Sequence, residues 1–121
     1  MQRTLEIVGE LTEKKQMLLT AADRKKIPAI GGQEEVEDPI VYVRFFHAYG
    51  RGVWLVTEFD GTDRMFGWAE ILPGGGELGY FSLKELESLE ATVGGRKIPG
   101  LQAIERDITF KPMPLSKAKN A

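Results

Sequence analysis

Asp38–Ala69, DPIVYVRFFHAYGRGVWLVTEFDGTDRMFGWA, is the stretch whose reading decides the fold. In Ile40–Phe46 nearly every residue is apolar or β-branched, which suits a strand with both faces at least partly covered. Val41, Val43 and Phe45 fall on one face, and Ile40, Tyr42, Arg44 and Phe46 on the other. Tyr49-Gly50-Arg51-Gly52 follows, with two glycines able to supply the positive φ of a tight reversal. Val53–Phe59 alternates again, with Val53, Leu55, Thr57 and Phe59 on one face and Trp54, Val56 and Glu58 on the other. Asp60-Gly61 is a strong turn dipeptide, and Arg64–Ala69 is a third run. The pattern predicts a three-strand meander.

Upstream, Thr20 reads as a helix N-cap with Asp23 three residues on, opening a helix over Ala21–Lys26. That helix must stop near Ile27, because Pro28 disfavours helical geometry in the residue before it. Gly31–Pro39 is polar and aperiodic and reads as the most mobile internal loop. Residues 1–16 fit an N-terminal extension, an edge strand or an arm.

Downstream, Gly74-Gly75-Gly76 is followed by neither a Lys-Ser/Thr pair nor a helix start, so it is a hairpin connection and not a phosphate loop. Glu77–Phe81 is a fourth strand. Ser82 with Glu85 matches a capping box for a second helix with Leu83, Leu86 and Leu89 on its apolar stripe, ended by Gly94-Gly95. Ile104–Phe110 alternates as a fifth strand, with Ile104, Ile108 and Phe110 inward and Pro112 and Pro114 closing it. Residues 117–121 read as a frayed tail. Strands joined as hairpins with helices set apart give an α+β class: an antiparallel sheet of about five strands packed by two short helices, in one domain over residues 17–116.

At 121 residues the chain can bury an ordinary core without staples. Its cysteine count of zero excludes disulfides, iron–sulfur clusters, thiolate zinc sites and cysteine nucleophiles, and fits a cytoplasmic setting. No apolar run is long enough to span a bilayer, so no membrane partner is expected. The formal charge of −2 gives no strong general attraction to nucleic acid. Charges do segregate locally: Arg24-Lys25-Lys26 is basic, Glu34, Glu35, Glu37 and Asp38 are acidic, and Lys111, Lys117 and Lys119 mark the tail.

Taken together, MLLT…KKIPAI, DPIVYVRFF, VWLVTEFDG, MFGW, ELGYFSLKELES and IERDITFKPMPLS resemble the domain-of-unknown-function family 2958 over Met17 to Ser116. The resemblance implies a small bacterial protein of plasmids, integrative elements and phage-like regions, encoded near conjugation, replication and antirestriction genes. It supplies no agreed activity, so no catalytic residues carry over from it.

The residues themselves offer three constellations. Glu58, Asp60 and Asp63 gather near a strand end, where carboxylates could hold Mg²⁺ or Mn²⁺ for phosphodiester chemistry, although turn formation alone explains Asp60 and Asp63. His47, the one histidine, has no companion nucleophile in view: Ser82 is a cap and Ser88 lies on a helix face. Tyr42, Trp54, Trp68, Tyr80 and Phe81 with Arg44, Arg51 and Arg64 could form an aromatic platform for single-stranded nucleic acid, or simply fill the core. Trp54, on the face of Glu58, is the aromatic expected to be most exposed. The reading is a non-enzymatic, cofactor-free protein acting through the surface of Tyr42, Arg44, Arg51, Trp54, Glu58, Arg64 and Trp68 on another protein, such as a host restriction or CRISPR nuclease. Nucleic acid is the alternative ligand.

Overall fold

Alternating runs broken by glycine turns build the sheet, and where the alternation slips the fold departs from the sequence reading. The computed structural model describes residues 17–121, so the extension expected over 1–16 lies outside the described residues. Strands β1 (Ile40–Val41), β2 (Val43–His47), β3 (Val53–Phe59), β4 (Arg64–Glu70) and β5 (Glu77–Ser82) follow helix α1 (Ala21–Lys26). Helix α2 (Leu83–Ser88), strands β6 (Glu90–Val93), β7 (Arg96–Gln102), β8 (Ile104–Arg106) and β9 (Met113–Pro114), and helix α3 (Leu115–Ala118) complete the chain. The class is α+β. Five antiparallel strands in the order β5-β4-β3-β2-β8 form the central sheet, with β1–β9 and β6–β7 as two small ribbons.

The sheet is covered unequally on its two faces. On one, Val43, Phe45, Trp54, Val56, Phe59 and Met65 pack beneath Leu18, Leu19 and Ile27 at the N-terminal end and Leu83 and Leu86 of α2. On the other, Leu55 packs with Val41, Leu115 and Ala118, against partly buried Val53, Trp68, Phe110 and Met113. Burying each large apolar side chain contributes about 1.5–3 kcal/mol, so the first face carries most of the stability.

A bulge changes which side chains share a face. The β3–β4 register runs Leu55↔Trp68 and Val56↔Gly67, then steps to Glu58↔Phe66 and Phe59↔Met65, leaving Thr57 unopposed. Thr57 Oγ1 instead donates to the Phe66 carbonyl at 3.0 Å. From there on every side chain is on the opposite face from the one simple alternation assigns. Phe59 joins Trp54 and Val56 in the larger core, and Glu58 moves to the face of Leu55. At Gly67 a Cβ would lie 1.8 Å from the Leu55 carbonyl oxygen, so only glycine permits this approach of β4 to β3.

The helix start at Thr20 is as expected. Thr20 Oγ1 accepts from Asp23 N–H while Asp23 Oδ2 accepts from Thr20 N–H, a complete capping box, and the helix stops before Pro28. At α2, Ser82 Oγ accepts from Glu85 N–H, but Asp63 satisfies the remaining start: its Oδ1 takes Lys84 N–H at 2.7 Å and its carbonyl takes Leu83 N–H.

Four other expectations are corrected. The helix does not continue to Gly94-Gly95; it ends at Ser88, Leu89 turns extended with its carbonyl accepting from Ala103 N–H, and the two glycines, at φ +60° and +78°, make the β6–β7 hairpin turn. The fifth strand ends at Arg106, not Phe110. Asp107 Oδ1 accepts from both Thr109 N–H and Oγ1, a side-chain-closed turn that leaves Ile108 88% exposed. The segment over 117–121 begins inside α3, with Ala118 buried and Ser116 bound to Asp38 through N–H and Oγ. Finally, the Gly31–Pro39 loop is fastened: buried Gln33 donates through Nε2 to the carbonyls of Ile40 and Thr57 and accepts from Ile40 N–H.

Candidate interaction face

Among the described residues, helix α3 and the β1–β9 ribbon cover the second face over Val53, Leu55 and Trp68 and leave it open toward β5. Phe66, Leu78 and Tyr80 stand there in adjacent rows, since β4 and β5 pair Phe66 with Tyr80 and Trp68 with Leu78. Leu78 is 51% and Tyr80 55% exposed. The Phe66 and Tyr80 rings meet edge to face at 5.0 Å, and the Arg64 guanidinium lies 4.1 Å above the Tyr80 ring. Trp68 closes the inner end of the face. Lys119 Nζ sits 3.9 Å from its ring, and a Cβ on Gly76 would strike the indole at 2.2 Å.

The fastened loop overhangs this floor. Between it, Phe66, Leu78 and the start of α3 runs a groove of about 660 Å³, bordered by Glu34, Glu37 and Asp38. A second hollow of about 310 Å³ adjoins it at Tyr80 and shares Glu34, Glu58 and Phe66. Around the larger groove four carboxylates face one ammonium, Lys119. Asp38 is held below the usual carboxylate range by hydrogen bonds from the Ser116 hydroxyl and then its N–H, and so stays charged at neutral pH.

The seven residues singled out in the sequence do not form one surface. Trp54, expected to be exposed, is 7% exposed and packs in the larger core opposite Phe45 and Ala69. Its ring lies over Gly52, where a Cβ would come within 2.7 Å of it. Tyr42 is half-buried against the same core. Arg51 is exposed at the β2–β3 turn, away from the groove. Arg44 is committed to Asp107 at 3.3 Å and lies over the Phe46 ring. Glu58, Arg64 and Trp68 share the open face, with Phe66 and Leu78, which sequence reasoning missed, and with Glu34 and Glu37 of the acidic run. The spacing of Leu78 and Tyr80 on one face of β5 was the signal for it.

The carboxylates read as a weak metal site are separately occupied. Glu58, 5% exposed, accepts from Gly31 N–H at 2.8 Å and Gln33 N–H at 2.9 Å, so it anchors the loop. Asp60 Oδ1 accepts from the N–H groups of Thr62, Asp63 and Arg64, which lowers its pKa and closes the turn. Asp63 holds Ser82 and Lys84. Among the described residues, no three His, Cys, Asp or Glu side chains gather where a metal ion could be held. His47 Nδ1 accepts from Tyr49 N–H at 3.1 Å within its own turn. Among the described residues no helix is long and apolar enough to cross a membrane.

Comparison with known proteins agrees with the sequence resemblance. No curated protein and no solved structure matches the chain. A family model described as "Protein of unknown function (DUF2958)" matches residues 11–120, which takes in every strand and helix above, the acidic loop and α3. By that match the chain belongs to the DUF2958 family.

Proposed function

We propose that the protein is a non-enzymatic interaction module that binds another protein through the open face of β4 and β5. The observation that carries this reading is the exposure of Leu78 and Tyr80 beside Phe66, on the sheet face opposite the larger core. Half-exposed aromatic and aliphatic side chains grouped beside a groove are what a partner's anchors bury. The carboxylates nearest to a reactive arrangement, Glu58, Asp60 and Asp63, are taken up by backbone and cap hydrogen bonds. A nucleic-acid platform needs a basic rim; Glu34, Glu37 and Asp38 border this groove instead.

The accessory setting implied by the family resemblance, on a mobile element and in the cytoplasm, makes a host defence nuclease of restriction or CRISPR type the first partner class to try. The test is a photo-crosslinking amino acid placed at Leu78, with Ile108, which is more exposed, as a control away from the groove. A discrete adduct at Leu78 alone, whose purified component binds the wild-type chain and loses Leu78→Glu, supports the reading. Equal adducts at both positions, or binding indifferent to Leu78→Glu, overturn it.

A further inference from the structure

We infer that the occupant of this face is an extended, basic segment of another protein, which adds as a further strand along β5 and lays lysine or arginine side chains across Leu78 toward Glu34 and Glu37. The inference rests on the reading above and names the chemistry of the partner. Strand β5 is the last strand of the sheet, paired on one side with β4 and, among the described residues, with no strand on the other. Native edges are usually blunted by lysine, proline or a bulge. Glu77–Ser82, ELGYFS, contains neither lysine nor proline, and its register with β4 is unbroken over six pairs.

The ladder fixes which groups the edge offers. Leu83 N–H donates inward to the Asp63 carbonyl at the end of the β4–β5 pair. In an antiparallel ladder successive residues alternate inward and outward, so Leu78 and Tyr80 turn their N–H and C=O groups away from β4, and Ser82, the cap of α2, turns its N–H. The residues with outward backbone groups thus include the two whose side chains are exposed on the groove face. Backbone pairing and side-chain pockets at alternate positions are the two components of strand addition.

Charge selects the side chains. An added strand lies about 4.8 Å beyond β5, farther from the acidic loop than Leu78 is. A lysine or arginine can span that gap with its methylene stem on Leu78 and its head at the carboxylates. Glu34 and Glu37 are exposed at the groove border. Near Tyr80 the sign reverses, because Arg64 already covers that ring. The basic residue therefore belongs opposite Leu78, with an apolar or acidic one opposite Tyr80.

The test is selection of a displayed library of random decapeptides on the immobilised full chain, followed by NMR titration of the ¹⁵N-labelled chain with the strongest binder. Expected are alternating sequences with a lysine or arginine at one position and an apolar or acidic residue two positions away, and shifts concentrated at the amides of Leu78, Tyr80 and Ser82. Glu34→Lys with Glu37→Lys, both exposed, should weaken binding at least tenfold with the fold intact. Tyr80→Pro, which removes an outward N–H, should abolish it. No enrichment, acidic enrichment, shifts elsewhere, or indifference to the charge reversals overturns the proposal. So does a dimer in sedimentation that Tyr80→Pro dissociates, which would assign the edge to a second copy. If crosslinking at Leu78 yields its partner while the peptides fail, the interaction face stands and strand addition falls.

Discussion

Asp23 and Arg106 meet across 83 residues of sequence, the guanidinium donating through both terminal nitrogens to both carboxylate oxygens, with Nη2 to Oδ1 at 2.9 Å. Asp23 also completes the Thr20 capping box, and Arg106 reaches the Leu18 carbonyl. One fork thus ties α1 to β8, the sheet edge opposite β5. Asp23→Asn should cost about 3 kcal/mol, since an arginine only a quarter exposed loses its counter-charge. Chemical denaturation at pH 7 measures it.

The same pair sets an acid limit. Burial raises the Asp23 pKa, but hydrogen bonds from Arg106 and Thr20 outweigh it and hold the carboxyl below its ordinary value. A folded pKa below the unfolded one, about 3.9, means the unfolded chain binds more protons in that range. Stability is then complete above the unfolded pKa and lost as pH falls through the folded one. The gap between wild type and Asp23→Asn should be constant from pH 7 to about pH 5 and shrink below about pH 4. Asp38, Asp60 and Asp107 are lowered too, so the whole protein should lose stability in the same window.

Glu58 should behave as a structural anchor. Replacing it with Gln leaves one acceptor and turns an NH₂ group toward the N–H of Gly31 or Gln33, at a cost of about 1–3 kcal/mol for the donor left unpaired. Hydrogen exchange should speed up at Gly31 and Gln33 and remain unchanged in β2. Any thermal shift with Mg²⁺ should be equal in the two proteins, because the carboxylate is already filled by backbone donors.

How much of this was legible depends on whether the signal was local. Helix α1 could be read from Thr20, Asp23 and Pro28 because capping and the proline restriction act within a few residues. The meander could be read from its alternation and Asp60-Gly61. The bulge could not: VWLVTEF alternates without a flaw, and the slip at Thr57 arises from Gly67, ten residues on, letting β4 approach Leu55. The error it caused, Glu58 placed beside Trp54, carried straight into the candidate site. The fifth strand was overextended for the opposite reason: Asp107 closes a local turn, but the alternation of Ile104, Arg106, Ile108 and Phe110 masks it. Acidic Gly31–Pro39 reads as loose because the residues fastening it, Glu58 and Thr57, lie in another strand.

Gly67→Ala tests the bulge directly. The added methyl has backbone on its far side and no flexible side chain to displace, so the strands must part. The cost should reach about 3 kcal/mol, the upper end for overpacking. Urea denaturation should show it, with Trp54 and Trp68 emission both perturbed because they pair with strand positions flanking the slip.

Helix α3 should prove to be part of the core. Asp38 accepts from Ser116 N–H at 2.9 Å and from its Oγ at 2.6 Å, which seats Leu115 and Ala118 on Leu55. Truncation after Pro114 removes both apolar side chains, the Lys119 ammonium from Trp68, and one wall of the groove. Loss of the Leu115 contact alone should cost about 2 kcal/mol. Trp68 emission should move to longer wavelength while Trp54, buried on the opposite face, is unaffected, so the same truncation in a Trp68→Phe background should show no spectral shift. Removing only Asn120 and Ala121, both exposed, should change neither stability nor emission. A truncation after Pro114 that left stability and the Trp68 spectrum intact would mean that this face of the sheet is not closed by α3.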